Sequence, residues 1–131
     1  MIRTWLIIDI SRTKAIEWGK KNEKTAIKAF EKKYGGKIEN CGLFVSKQKP
    51  NFAASPDGIY QDTLIEVKCP YMLRDSSPTD WSKLKAQQKS SFCCVKSSNG
   101  DDLILKKTHQ YYVQVQMQMY CSGYQKTYFV V

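Results

Sequence analysis

Ser55-Pro56-Asp57-Gly58-Ile59-Tyr60-Gln61-Asp62-Thr63-Leu64-Ile65-Glu66-Val67-Lys68-Cys69 is the stretch on which the reading of this chain turns. Taken as a strand, residues 64–69 alternate with period two, sending Leu64, Glu66 and Lys68 to one face and Ile65, Val67 and Cys69 to the other. Glu66 and Lys68 therefore project side by side. Pro56-Asp57-Gly58 reads as a turn or strand edge, and the polar link Tyr60-Gln61-Asp62 folds the following strand back, so that Asp57 is expected beside Glu66. Alone, Glu-x-Lys is usually a surface ion pair. Here the frame is apolar, with Leu64, Ile65, Val67 and Cys69 around the charges and Phe52-Ala53-Ala54 before them. Charges so embedded are costly unless paired or metal-bound. A divalent cation would compensate both acids at once. With His109 the only histidine, the oxygen donors of Asp57 and Glu66 suit magnesium or manganese better than zinc.

Upstream, residues 13–34 form the clearest predicted helix. Ile16, Gly19, Glu23, Ile27, Phe30 and Tyr34 recur at spacings of three and four, lysines cover most of the remainder, and Gly35-Gly36 ends the run. Glu23 is the odd member of the apolar stripe. It is either a boundary residue whose stem packs while its carboxylate reaches a lysine, or an inward acid beside a metal site. Residues 38–46 and 51–55 read as strands and 59–69 completes a meander, which Pro70 stops by removing a ladder donor.

Downstream, residues 74–100 are polar and serine-rich, with Pro78 and Asn99-Gly100 as breakers, and read as a long loop carrying one short helix near 81–89. Residues 103–107 suit a brief strand or a helix start. After Thr108 as N-cap, 110–122 read as a helix with Val113, Met117, Tyr120 and Tyr124 on its apolar stripe. Gly123 stops it and 127–131 make a final strand. Gln114, Gln116 and Gln118 fall on different helical faces and cannot all serve one site; Gln118 reads as solvated. Lys106 and Lys107, just before the helix, are candidate phosphate contacts, although charges there are more often simply solvated.

Composition bounds the rest. At 131 residues and 42% hydrophobic content the chain reads as one domain, 1–131. The formal net charge of +9 favours a polyanionic partner. The opening apolar run, residues 1–10, is too short to span a bilayer and no small-residue cleavage site follows it, so a soluble, intracellular chain without a membrane partner is expected. The five cysteines are odd in number and include no Cys-x-x-Cys, which suggests neither a disulfide framework nor a zinc ribbon. Adjacent Cys93 and Cys94 read as buried thiols in preference to a redox pair.

The order helix, three strands, loop, helix, strand, with acids on the central strands, resembles the YqaJ-type viral recombinase family, relatives of the lambda exonuclease in the restriction-endonuclease-like superfamily. The matching residues are Trp18-Gly19-Lys20-Lys21-Asn22-Glu23, Gly42-Leu43-Phe44, Ala54-Ser55-Pro56-Asp57-Gly58, Leu64-Ile65-Glu66-Val67-Lys68-Cys69-Pro70, and Tyr111-Tyr112-Val113-Gln114-Val115-Gln116-Met117-Gln118-Met119. They occur in order across residues 15–131, and five segments with sensible gaps are far more specific than one.

The resemblance implies an α/β, restriction-endonuclease-like core, a mixed central sheet flanked by helices, in the order α-β-β-β-α-β. It implies a magnesium-dependent deoxyribonuclease, a 5′ to 3′ exonuclease on duplex DNA in recombination or repair. An endonuclease with the same metal centre, and a non-cutting nucleic-acid-binding remnant, are the alternatives. On that footing Asp57, Glu66, the Val67 carbonyl and Glu23 hold the metal, Lys68 orients or deprotonates the attacking water, and Gln116 reaches the active centre. Ser55, Gln114, Tyr120, Lys106 and Lys107 are the expected substrate contacts. The expected partners are DNA, further copies of the chain and a single-strand annealing protein, in the cytoplasm or nucleus. Family members usually carry an N-terminal segment that engages the 5′ end of DNA, and a continuation beyond the final strand. Neither is recognised in these 131 residues.

Overall fold

Helix α1 (Lys14–Tyr34) begins where Thr13, extended at φ −71°, offers its hydroxyl to the Ile16 N–H at 3.4 Å as N-cap. Gly35, at φ 73°, ends it. These and the remaining coordinates come from a computed structural model, which describes residues 13–76, 84–98 and 103–131. The apolar run at 1–10, Pro78, Trp81 with the start of the expected short helix, and Asn99-Gly100 lie outside the described residues.

Beyond α1 come the short strands β1 (Phe44–Val45) and β2 (Ala53–Ala54), an antiparallel pair. β3 (Gly58–Tyr60) and β4 (Thr63–Val67) form a hairpin turning at Gln61-Asp62, with Gln61 left-handed at φ 56°. A 3-10 turn at Tyr71–Leu73 leads towards helix α2 (Ala86–Ser91) and the antiparallel strands β5 (Cys94–Lys96) and β6 (Leu103–Leu105). Helix α3 (Gln110–Ser122) and strand β7 (Thr127–Val130) complete the chain. β4 lies between β3, antiparallel to it, and β7, parallel to it. This is the expected mixed α/β sheet.

Period two holds on β4. Ile65 and Val67 join Phe30 and Tyr60 in a core that Ala26 and Ile27 of α1 help cover, while Glu66 faces α3. With both faces covered, all five residues of β4 are buried. α1 packs along the apolar face, and Phe30 meets the Tyr60 ring edge-on at 5.2 Å. The Tyr60 hydroxyl donates to the carbonyls of Tyr34 at 3.1 Å and Gly35 at 2.7 Å, which pins the end of α1 to the hairpin. A second core, built on Leu73, Leu84, Phe92, Cys93 and Cys94, sits beneath Tyr111 and Phe129. All five cysteines are free thiols, and Cys93 and Cys94 are buried as expected.

Several expectations need correction. The long strands at 38–46 and 51–55 shrink to two residues each, with only a bridge between Glu39 and Ile59 joining the first segment to β3. The 59–69 segment, by contrast, folds back at Gln61-Asp62 as its polar link implied. The 74–100 stretch holds β5 as well as a short helix, because Cys94 is buried and pairs with Leu105. On α3 the N-cap is His109, whose Nδ1 accepts from the Tyr111 N–H at 3.2 Å, one residue after Thr108. Its expected apolar stripe is also displaced: Val113 is 63% exposed and the buried residues are Val115, Gln118 and Cys121. The inward face of α3 sets amides beside Val115 and Cys121, because part of that face meets the Glu66 carboxylate.

Candidate active site at the end of the central strand

The hairpin brings the two acids together. The β3–β4 ladder pairs Gly58 with Ile65, and the Asp57 N–H extends it by donating to the Ile65 carbonyl at 3.0 Å, so that Asp57 stands opposite Glu66. The Asp57 side chain then turns along the strand and accepts from the Val67 N–H at 2.7 Å. Pro56 and Gly58 on either side are buried, which leaves the turn little room to move.

Glu66 is 1% exposed, and such a carboxylate needs compensation. Three donors supply it. Lys68 Nζ, 22% exposed, pairs with Oε1. Gln114 Nε2 donates to the same oxygen at 2.7 Å, and Gln118 Nε2 donates to Oε2 at 2.6 Å. The Lys68 ammonium also lies over the Tyr111 ring, 4.9 Å from its centroid. Both charged residues thus sit at the carboxyl end of β4, one buried and one at the rim of solvent.

Glu23 reaches this end from α1. Burial raises its carboxyl above the ordinary value, and the charges of Asp57 and Glu66 raise it further against the lowering influence of Lys68. The neighbouring thiols register the same field. Cys69 is raised by burial and then by Glu23 and Asp57, and Cys41 by burial and then by Asp57. Glu23, Val67, Lys68 and Tyr111 line an open cleft of about 290 Å³, with Gly19 of α1 in its wall. The absence of a side chain at Gly19 leaves open space there.

The donor chemistry fits a hard divalent cation. Among the described residues no three His, Cys, Asp or Glu side chains are grouped so as to hold a metal ion by themselves. Magnesium does not require that, because it binds through one or two carboxylates and completes its octahedron with water and phosphate oxygens. Asp57 and Glu66 are two such carboxylates, and Glu23 adds negative charge nearby.

Of the other expected site residues, Gln114 touches Glu66 and Gln116 does not. Gln116 is exposed, because at about 100° per residue it points roughly 200° away from Gln114, whereas Gln118 returns to within about 40°. Ser55 is exposed, its hydroxyl 3.5 Å from the Gly42 carbonyl and its own carbonyl 3.4 Å from Gln118 Nε2. Tyr120 is exposed and edge-on to Phe52 at 6.4 Å. Lys106 donates to the Ser90 carbonyl at 2.9 Å and so caps the end of α2, where a cation meets the last helical carbonyls. Lys107 is exposed. Gln118, read as solvated, is instead buried against Glu66, and Tyr111, which carried no expected role, lies beneath Lys68. The Gln114 to Gln118 spacing of four was the available signal.

Compared with protein families, residues 2–125 match the YqaJ-like viral recombinase domain. The search of curated proteins returned no match. Among solved structures the chain is similar to an alkaline exonuclease (LHK-Exo) from Laribacter hongkongensis, at 27% identity and a TM-score of 0.60, over 89% of this chain and 49% of that one. It is also similar to LHK-Exo in complex with dAMP, at 27% identity and a TM-score of 0.61, with the same coverage. The chain therefore spans about half the length of these structures. No helix among the described residues is long and apolar enough to cross a membrane. The fold is thus restriction-endonuclease-like, and the chain belongs to the YqaJ-like viral recombinase domain family.

Proposed function

We propose that the chain is a magnesium-dependent deoxyribonuclease, acting as a 5′ to 3′ exonuclease on duplex DNA. The observation that carries this reading is the juxtaposition at the end of β4: buried Glu66 paired with Lys68, opposite Asp57, beside an open cleft. Similarity to an alkaline exonuclease and a net charge of +9 support it.

Asp57 and Glu66 would hold the ion, with the Val67 carbonyl and Glu23 completing its surroundings. Bound there, magnesium would lower the pKa of a coordinated water and neutralise charge on the phosphate oxygens. Lys68, anchored by Glu66 and by the Tyr111 ring yet part-exposed, would orient the water and add positive charge to the transition state. A site meant only to bind phosphate has no use for inward acids that repel it.

Incubation with linear and circular duplex DNA, with magnesium and with chelator, tests the reading. Magnesium-dependent loss of the linear substrate alone is expected, with label released first from 5′ ends. Cutting of the circle would make it an endonuclease. Folded protein that degrades neither would sink the hydrolytic assignment.

A further inference from the structure

Gln118 is as deeply buried as Glu66, at 1% exposure, and its amide can face only one way. The atoms near its Nε2 are Glu66 Oε2 at 2.6 Å and the Ser55 carbonyl at 3.4 Å, both acceptors. Turned over, the amide would set oxygen against a carboxylate. In the orientation that remains, Oε1 is buried without a hydrogen-bond partner. A buried amide with an orphaned oxygen is unfavourable by its own surroundings, so the bond to Glu66 is what holds it. Gln114, one turn earlier on the same face of α3, grips the other carboxylate oxygen at 2.7 Å. The two amides thus hold both oxygens of the Glu66 carboxylate.

We infer that Gln118 and Gln114 are positioning residues which clamp the Glu66 carboxylate in the direction required to hold a divalent cation. The inference rests on the hydrolytic reading of Glu66 given above. It assigns to the inward amide pair the work expected of Gln116, and gives α3 a role reaching beyond packing. Outer partners of this kind orient a ligating carboxylate, and their loss weakens metal binding about 10–100-fold.

Mn²⁺ alone, titrated into the full chain and followed by electron paramagnetic resonance, reads the clamp without DNA. Gln118→Met keeps nearly the same side-chain volume and removes the donors. It is expected to retain a cooperative unfolding transition and to bind Mn²⁺ about 10–100-fold more weakly. Val115→Ala, which loosens the same helix without touching Glu66, should leave Mn²⁺ affinity unchanged; an equal loss there would make the effect one of packing and overturn the clamp. Gln114→Met should lose about tenfold and decides the matter if Gln118→Met fails to fold. Folded Gln118→Met and Gln114→Met proteins that bind Mn²⁺ like wild type overturn the clamp and leave the hydrolytic reading standing. A folded wild-type chain that binds no Mn²⁺ overturns both.

Discussion

The Val67 N–H donates to Asp57 Oδ2 over 2.7 Å, so the acid of the Pro-Asp-Gly turn is tied to the peptide unit that follows Glu66. The spacing of the two acids is thereby set by backbone as well as by side-chain rotamers. Asp57→Asn keeps a carbonyl oxygen that can accept from Val67, whereas Asp57→Ala leaves that N–H without a partner. Both should abolish magnesium-dependent DNA degradation, but only the alanine variant should lose stability, by about 1–3 kcal/mol. Urea denaturation beside a degradation assay separates the two, and an Asp57→Asn protein that cuts at the wild-type rate would remove Asp57 from the metal site.

Lys68 carries the only formal positive charge on Glu66 among the interactions described for that carboxylate. Lys68→Met should abolish cutting and destabilise the fold by about 1–3 kcal/mol, below the usual penalty for breaking a buried pair, since Lys68 is part-exposed and both amides remain. Lys68→Met/Glu66→Gln should recover part of the stability and none of the activity. A double-mutant cycle in urea checks the first claim.

Glu23 makes stability depend on pH. Its folded-state carboxyl lies above the ordinary value near 4.5, so the folded chain binds that proton more tightly than the unfolded chain, and the favourable contribution is lost as pH rises through the folded value. At pH 7 the ionised group is a liability. Glu23→Gln should therefore raise the unfolding free energy of metal-free protein at pH 7, and with it the urea midpoint, by less than about 1 kcal/mol of free energy because solvent screens so open a site, and the gain should vanish near pH 4. A midpoint unchanged at pH 7 would place Glu23 outside the field of the other acids.

Gly58 admits no side chain. A Cβ there would lie 2.4 Å from Ile38 Cγ2 and 3.0 Å from the Glu39 carbonyl oxygen. Gly58→Ala should cost about 1–3 kcal/mol by overpacking, and Ile38→Ala in the same chain should return part of it. Thermal denaturation of the single and double variants measures both. A Gly58→Ala protein as stable as wild type would mean that the 38–39 segment can move aside freely.

Much of the site could be read one residue at a time. Alternation on residues 64–69 put Glu66 and Lys68 on one face, and the polar link at Gln61-Asp62 brought Asp57 back to them, because a strand's period and a tight turn are local properties of the chain. Helix α1 was equally legible, with Thr13 before it and Gly35 after it. The short strands were not. β5 depends on a partner, β6, that lies beyond Asn99-Gly100, and the 38–46 segment pairs with β3 through a single bridge, so neither is set by its own residues.

Helix α3 shows where local reading stops. Its apolar residues implied a stripe through Val113 and Tyr120, yet both are exposed and the inward face sets Gln114 and Gln118 beside Val115 and Cys121. Hydrophobic periodicity finds the buried side of a helix when all of that side meets hydrocarbon, and part of this one meets a carboxylate. Sequence by itself determined the acids, the lysine, their spacing and the elements that carry them. Which glutamines reach Glu66 was decided by tertiary structure, because the parallel crossover from β4 through α3 to β7 fixes the helix's rotation over the sheet, and no residue within α3 encodes that rotation alone.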